Sequence, residues 1–157
     1  MIVLIEGVDG SGKTVLCNTL KNEGYEQISV KENESEAYEY FKLSRNTDKI
    51  YVSDRSFLSD LVYRIYDGKP RRGMNLYSML HCMANGIKVI FCHTDSSYDD
   101  SIKRGEDNIT NRDANLAINN IYNMLYRTLK IFTDVPVIDY NWKTDNVSDV
   151  INFIERR

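Results

Sequence analysis

A glycine-rich segment near the N terminus constrains the fold of this chain more than any other feature. Gly7-Val8-Asp9-Gly10-Ser11-Gly12-Lys13-Thr14 directly follows the apolar run Ile2-Val3-Leu4-Ile5. The spacing G-x-x-x-x-G-K-[ST] is typical of a loop whose backbone N–H groups surround a polyphosphate, with the lysine on the β- and γ-phosphates and the hydroxyl on Mg²⁺. We therefore predict a buried strand, a polyphosphate-binding loop and a helix over about Lys13–Glu23, whose N-terminal dipole favours the phosphates.

The rest of the chain alternates β-rich runs with helical stretches. The β-rich runs are Val3–Val8, Tyr25–Val30, Lys49–Ser53, Lys88–His93 and Val135–Tyr140. The helical stretches are Asn33–Leu43, Phe57–Tyr66, Met74–Ala84, Tyr98–Arg104, Asp113–Phe132 and Val147–Ile154. This alternation predicts a five-stranded parallel sheet with helices on both faces, a three-layer α/β/α P-loop fold. Because such sheets bind ligands at the carboxyl ends of their strands, the residues just after each strand are candidates for a site.

Composition limits the classes of protein to consider. The chain has 157 residues and a net charge of −3. That length suits one domain over 1–157, and the acidic balance argues against a protein devoted to coating nucleic acid. Cys17, Cys82 and Cys92 are odd in number and form no C-x-x-C pair, which favours reduced cytoplasmic thiols over disulfides or a zinc site. The N-terminal apolar run is too short for a signal peptide or a membrane span, so we expect no membrane partner.

Several apolar and aromatic residues are predicted to pack rather than to act. The stretch from Asp113 carries one stripe at steps of three and four, and we predict that this stripe is core. Its members are Ile118, Ile121, Leu125, Leu129 and Phe132. Tyr38, Tyr40 and Tyr66 are predicted to be half-buried packing aromatics with hydroxyls in water, and His81 and His93 to pack rather than to catalyse.

The triplet Asp54-Arg55-Ser56 follows the third predicted strand and is the second informative site. Its carboxylate can hold Mg²⁺ or accept a substrate proton, and its guanidinium can bind a phosphate with two parallel hydrogen bonds. The alternative is a surface ion pair or the cap of the next helix, since Asp and Ser both cap well. Its place beside a phosphate loop favours the functional interpretation.

These two motifs together resemble a known group of enzymes. Glu6–Thr14, followed by a strand that ends in Asp54-Arg55-Ser56, resembles the thymidylate kinase and deoxynucleoside kinase group of P-loop kinases, especially short bacteriophage-type members. The resemblance extends along most of the chain. Leu58–Tyr63 is similar to the substrate-lining helix of that group, and Thr94-Asp95 with Arg104 is similar to the segment that leads into its lid.

The resemblance implies a nucleoside monophosphate kinase-like fold with a short lid. It implies transfer of the γ-phosphoryl group of ATP, with Mg²⁺, to a small nucleotide acceptor, a deoxynucleoside monophosphate such as dTMP or a pyrimidine analogue. Lys13, Asp54 and Arg55 are then catalytic, and Thr14 and Asp54 bind the metal. The nucleotide is bound by Gly7, Asp9, Gly10, Ser11, Gly12, Lys13, Thr14 and Val15. Homodimers are common in this group.

A polar stretch with basic ends, about 103–112, is interpreted as the lid. It contains Gly105 as a hinge and precedes the long predicted helix. In thymidylate kinases an arginine in the phosphate loop or in the lid stabilises the transferred group. Because Gly10 and Ser11 leave the loop without an arginine, Arg104 or Arg112 is the expected donor. A solvated surface charge is the alternative for either one.

The remaining acceptor residues rest on weaker matches. Phe41 and Arg45 are similar to the phenylalanine and arginine, four apart, that contact the base in thymidylate kinases. Phe41 can stack on a base but also suits a hydrophobic core, and the same two interpretations apply to Tyr63. Arg71 and Arg72 form a basic pair that contacts the acceptor phosphate or is simply solvated.

Departures from the group keep other functions open. Ser29-Val30-Lys31-Glu32 lacks the Arg-Glu-Pro run usual in thymidylate kinases, and the acceptor segment from Lys31 to Asp54 is short. One alternative is a deoxynucleoside kinase with Asp54 as general base. Another is a kinase for hydroxymethylated pyrimidine in DNA, the one case in which nucleic acid is a partner. A third is a nucleotide-binding protein without catalysis, although no Asn-Lys-x-Asp motif supports a GTPase switch.

Overall fold

A computed structural model describes residues 1–29, 36–46, 48–69, 86–95, 97–103 and 111–156. Its five strands form one sheet in the order β2-β3-β1-β4-β5, and every pairing is parallel. The strands are β1 (Ile2–Glu6), β2 (Glu26–Ile28), β3 (Tyr51–Asp54), β4 (Ile87–Cys92) and β5 (Val137–Tyr140). The predicted parallel sheet is confirmed, and each strand begins and ends within two residues of its predicted run.

Six helices are described. They are α1 (Lys13–Asn22), α2 (Glu36–Arg45), α3 (Phe57–Tyr66), α4 (Ser97–Lys103), α5 (Arg112–Phe132) and α6 (Val147–Glu155). The predicted helix Met74–Ala84 lies outside the described residues. Within the described ranges, no helix combines the length and the apolar character needed to cross a bilayer.

The strands bury side chains on both faces of the sheet. Ile2 and Leu4 of β1 belong to a core that α2, α3 and α5 cover, whereas Val3 and Ile5 belong to a core that α1 and α6 cover. This alternation follows from the two-residue period of a strand. Helices on both faces confirm the predicted three-layer α/β/α architecture.

The second core also accounts for two of the three cysteines. Cys17 of α1 and Cys92 of β4 are buried free thiols, and burial raises the pKa of Cys92 to about 12. Both are therefore protonated, unreactive packing groups at neutral pH. Cys82 lies outside the described residues.

The apolar stripe of α5 is buried with one exception. Ile118, Leu125 and Leu129 are at most 8% exposed, and Ile121 packs beside them. The prediction is wrong for Phe132, which is the last residue of α5 and 66% exposed. The helix ends there, because the next residue, Thr133, has extended backbone. Tyr122 of the same helix, which the stripe did not include, is 2% exposed and belongs to the core.

The N terminus of α1 differs from those of α3, α5 and α6 in its capping. The Ser56 hydroxyl accepts a hydrogen bond from the Leu58 N–H at α3, and Asn111 and Asn146 cap α5 and α6 in the same way. In contrast, α1 follows Gly12 and has no side-chain cap. Its first N–H groups are therefore available to a ligand.

Candidate active site

The phosphate loop is shaped by glycines that no other residue could replace. Gly7, Gly10 and Gly12 have φ values of +142°, +82° and +89°. A Cβ at Gly7 would lie 2.3 Å from the Cys92 carbonyl oxygen, and one at Gly10 would lie 1.8 Å from the Ser97 carbonyl oxygen. Both distances are far below van der Waals contact, and positive φ strains other residues. An arginine therefore does not fit at position 10.

Lys13 is buried at the centre of this loop. Its ammonium group donates a hydrogen bond to the Val8 carbonyl oxygen at 2.9 Å. Burial, followed by the nearby Arg55 charge, lowers the pKa of Lys13 to about 8, and Asp9 and Asp54 oppose that shift. An anionic phosphate would favour the charged form of this lysine, as the phosphate-loop spacing predicts.

The loop meets the end of β3 through Thr14. Its hydroxyl donates to Asp54 Oδ2 at 3.0 Å, which brings together the two predicted metal ligands. Hydroxyl and carboxylate oxygens suit Mg²⁺, which commonly takes one or two protein ligands beside phosphates and water. In the described part of the chain, no group of three or more His, Cys, Asp or Glu side chains could hold a metal ion.

A second contact between the two motifs involves Arg55. Its guanidinium forms an ion pair with Asp9 Oδ1, donates to the Tyr63 hydroxyl at 3.2 Å and lies 5.5 Å from the centre of the Tyr63 ring. Asp9, Arg55 and Tyr63 were each predicted as site residues, but the ion pair between Asp9 and Arg55 was not predicted. The only sequence signal for it was that a carboxylate and a guanidinium each follow a strand that is central in such a sheet.

The backbone of Arg55 is held in an unusual conformation. Arg55 has φ +71°, the only positive φ among the described non-glycine residues. Its carbonyl oxygen accepts hydrogen bonds from the Ser53 hydroxyl at 2.8 Å and the Tyr40 hydroxyl at 3.3 Å. The prediction for Tyr40 is therefore wrong: the ring is 1% exposed and its hydroxyl bonds within the protein. Such strain is kept at functional sites when surrounding contacts hold it.

Unpaired polar atoms also concentrate around the loop. Among the described residues, the buried side-chain atoms without a partner are Asp9 Oδ2, Ser11 Oγ, Ser101 Oγ and Trp142 Nε1. Asp9 and Ser11 belong to the loop, the backbone of Ser101 lies against Gly10, and the Trp142 ring lies against Gly12. Because buried polar groups are nearly always paired, such a concentration is typical of a ligand site.

The phosphate loop, including Asp9, borders an open cavity of about 400 Å³. Its walls are the phosphate loop, the end of β3 and the end of β2, and its lining includes Lys13, Thr14, Asp54 and Arg55. Gln27 also lines it, a residue that the sequence-based reasoning did not select. Its exposed position in the middle of the edge strand β2 gave no signal.

Several other predicted residues are not part of this cavity lining. Phe41 packs against the core beneath α2, and the Arg45 guanidinium lies 5.1 Å from the centre of its ring. Val15 is 45% exposed on α1. Arg112 begins α5 and pairs with Asp99 at 3.2 Å. Three other candidates lie outside the described residues: Arg71, Arg72 and Arg104.

His93 does not pack as predicted. Its side chain is 38% exposed and lies 3.6 Å from Asp139. It follows the carboxyl end of β4, on the side of the sheet where the candidate site lies. There its side chain is partly exposed beside Asp139 of the neighbouring strand β5. His81 lies outside the described residues, as does the side chain of Tyr38, and Tyr66 is 42% exposed.

Comparisons with known proteins support the fold. The sequence matches no protein-family model and no curated protein. The structure is similar to the YorR protein of Bacillus subtilis in complex with phosphorylated GDP, with 21% identity over 99% of this chain and 96% of that one and a TM-score of 0.68. It is also similar to deoxyadenosine kinase of M. mycoides with bound dATP, with 19% identity over 98% and 97% and a TM-score of 0.62.

A third similar structure is thymidylate kinase from Candida albicans. The identity is 14% over 96% of this chain and 87% of that one, with a TM-score of 0.59. At these identities the likeness establishes the architecture alone. The chain therefore has the three-layer fold found in P-loop nucleoside and nucleotide kinases.

Proposed function

We propose that this protein is an ATP- and Mg²⁺-dependent kinase that phosphorylates a deoxynucleoside monophosphate, with dTMP or a pyrimidine analogue as the preferred acceptor. The observation that carries the proposal is the pair of contacts between the phosphate loop and the end of β3. Thr14 bonds to Asp54, and Asp9 pairs with Arg55. A triphosphate on the loop would therefore lie near two metal ligands and the guanidinium of Arg55.

The donor side supplies positive charge at the phosphates. Lys13 and the uncapped N terminus of α1 would bind the β- and γ-phosphates. Thr14 and Asp54 would hold Mg²⁺, which neutralises phosphate charge when bound. Because phosphoryl transfer spreads negative charge over the transferred group, fixed cations and N–H groups are the main requirement. Arg104 or Arg112 of the lid is proposed to supply the remaining positive charge at the transferred group.

The acceptor side centres on Arg55. A guanidinium binds a phosphate with two parallel hydrogen bonds, and the acceptor phosphate would compete with Asp9 for it. Tyr63 lies on the other side of Arg55, where an acceptor nucleoside would extend along α3. Phe41 and Arg45 on α2 are proposed to contact the base, and Arg71 or Arg72 the acceptor phosphate.

The role of Asp54 favours a monophosphate acceptor over a free nucleoside. A nucleoside 5′-hydroxyl needs a general base, whereas the phosphate of a monophosphate is already anionic. Asp54 accepts the Thr14 hydroxyl, an arrangement that suits a metal ligand rather than a base. The nucleoside kinase remains the second candidate, since one structural neighbour is a deoxyadenosine kinase.

An ADP-release assay over a panel of acceptors tests the proposal. The panel is dTMP, dUMP, 5-hydroxymethyl-dUMP, dGMP, thymidine, deoxyadenosine and duplex DNA that contains hydroxymethylated pyrimidine. We expect dTMP or a pyrimidine analogue to give the highest kcat/KM. Turnover only with nucleosides would favour the nucleoside kinase, and turnover only with DNA would favour the kinase for hydroxymethylated pyrimidine. ATP binding without turnover on any acceptor would indicate a non-catalytic protein.

A homodimer is also part of the proposal. Light scattering of the purified protein measures it directly, because a dimer has twice the mass of the 157-residue chain. A single species at the monomer mass over the working concentration range would remove this part without affecting the proposed reaction.

A further inference from the structure

Glu6 is a buried carboxylate for which the proposed reaction has no use. It is the last residue of β1, directly before Gly7, and its side chain is completely buried. One carboxylate oxygen accepts a hydrogen bond from the Ser56 hydroxyl, and the other accepts one from the Ser59 hydroxyl at 2.5 Å. Both oxygens are therefore satisfied by side chains of the same helix, α3.

The two serines connect Glu6 to the acceptor side. Ser56 directly follows Arg55, and its hydroxyl also accepts the Leu58 N–H at the start of α3. Ser59 lies about one turn farther on, and its hydroxyl is 2.8 Å from the Tyr122 hydroxyl of α5. The carboxylate thus joins the residue before the phosphate loop to the residue after Arg55, and through Ser59 to α5.

Burial makes an ionised carboxylate costly at Glu6. Burial raises the pKa of Glu6 to about 7, and Ser56, Ser59, Arg55 and Lys13 partly oppose the shift. None of these cations forms a direct hydrogen bond with Glu6 in the structure. A buried carboxyl without an ion-pair partner is seldom justified by stability alone. The contribution of Glu6 to the structure is therefore its two hydrogen bonds, to Ser56 and Ser59.

Arg55 needs fixed neighbours because its own backbone is strained. Its N–H donates to the Ile5 carbonyl oxygen at 3.0 Å, the last ladder bond between β1 and the end of β3. Beyond that bond, the contact of Glu6 with Ser56 continues the connection through side chains. We propose that Glu6 is a positioning residue that fixes Arg55 against the phosphate loop through its hydrogen bonds to Ser56 and Ser59. Its effect on acceptor use rests on the proposed function.

Two substitutions separate the hydrogen bonds from the charge. Glu6→Gln removes the charge but keeps the bonds, because its oxygen accepts from one serine and its NH₂ donates to the other. Glu6→Leu removes both bonds. If Glu6→Leu does not fold, Ser56→Ala removes the bond nearest Arg55. Asn146→Ala is its matched control, since it deletes an equivalent N-cap on α6.

Hydrogen exchange of the Arg55 backbone amide is the first readout and does not depend on the reaction. We expect exchange at least tenfold faster in Glu6→Leu or Ser56→Ala, and within about threefold of wild type in Glu6→Gln and Asn146→Ala. Unchanged Arg55 exchange in the first pair would overturn the proposal. So would Glu6→Gln exchange as fast as Glu6→Leu exchange, because the charge would then be the active property.

Steady-state kinetics is the second readout. In the variants with fast exchange, acceptor kcat/KM is expected to fall at least tenfold while the KM for ATP stays within twofold. Equal losses on both substrates, or none, would overturn the positioning role. A wild-type protein that uses no acceptor would instead refute the proposed function, and the exchange measurement would still decide whether Glu6 fixes Arg55.

Discussion

The proposed donor side and the proposed acceptor side of the candidate site are built in different ways. The donor side is mainly backbone, with positive φ values at Gly7, Gly10 and Gly12 and an uncapped helix N terminus. The acceptor side is mainly side chains from distant segments, above all Arg55 and Asp9. A site made of backbone is encoded by contiguous residues, whereas one made of side chains depends on the assembled sheet. Variants should therefore affect the two sides separately.

Lys13→Met is expected to have the largest effect, because it removes the only cationic side chain of the phosphate loop. We expect kcat/KM for phosphoryl transfer to fall by about 10³-fold, the upper range for loss of one charged or hydrogen-bonding group that stabilises a transition state. The ADP-release assay measures it. Lys21→Met, on the exposed face of the same helix, is the control and should retain wild-type activity. A Lys13→Met enzyme within tenfold of wild type would refute the donor assignment.

Arg55→Gly is the corresponding test of the acceptor side. Glycine accepts φ +71° without strain, so the change isolates the guanidinium. We expect acceptor kcat/KM to fall by about 10²-fold with an unchanged KM for ATP. Arg64→Ala, which removes an arginine paired with Asp60 on α3, serves as the control. If Arg55→Gly weakened ATP and acceptor equally, the two sides would not be separate.

Glu6 lies between the two sides and gives the protein a pH-dependent stability. Its pKa is about 7 in the folded protein against 4.5 ordinarily, so the folded state holds this proton more tightly. The stabilisation is complete below pH 4.5 and is lost as pH rises to about 7, a fall of about 3 kcal/mol. Urea unfolding from pH 4.5 to 8 measures it, and Glu6→Gln should lack this component. Identical pH profiles would contradict the assignment.

Gly10→Ala and Gly24→Ala separate backbone strain from steric exclusion. Both glycines have positive φ, +82° and +95°, but a Cβ at Gly24 meets nothing within 4 Å. Gly24→Ala should cost about 1 kcal/mol in the free energy of unfolding. Gly10→Ala should cost about 2 kcal/mol more, because its Cβ overlaps the Ser97 carbonyl. It should also weaken ADP binding, which calorimetry measures. Equal costs would mean that α4 does not constrain the loop.

Much of the fold was predictable because periodicity reports on burial. The central strands β1 and β4 are short, mostly apolar and buried runs, and α3 was predicted with its observed bounds, Phe57–Tyr66. The apolar period of a helix does not show where the helix extends beyond the elements that pack against it. Phe132 therefore continues the apolar stripe of α5 in the sequence but lies in solvent.

The site was predictable only where its residues are contiguous. The phosphate loop lies in one window of eight residues, and its contacts follow from spacing. The Asp9 and Arg55 pair joins residues 46 positions apart, and it exists because β1 and β3 are neighbours in the sheet. The buried bonds of Tyr40 and Glu6 were missed for the same reason, since each depends on which strand lies beside which helix.

The central claim is that donor and acceptor sites face each other across Lys13 and Arg55. The most direct test is calorimetric binding of one molecule in which adenosine and thymidine are joined through five phosphates. If both sites exist, the second half binds intramolecularly, and we expect an affinity about 100-fold or more above that of ATP. Arg55→Gly should lose most of this gain. An affinity no higher than that of ATP would contradict a two-sided site.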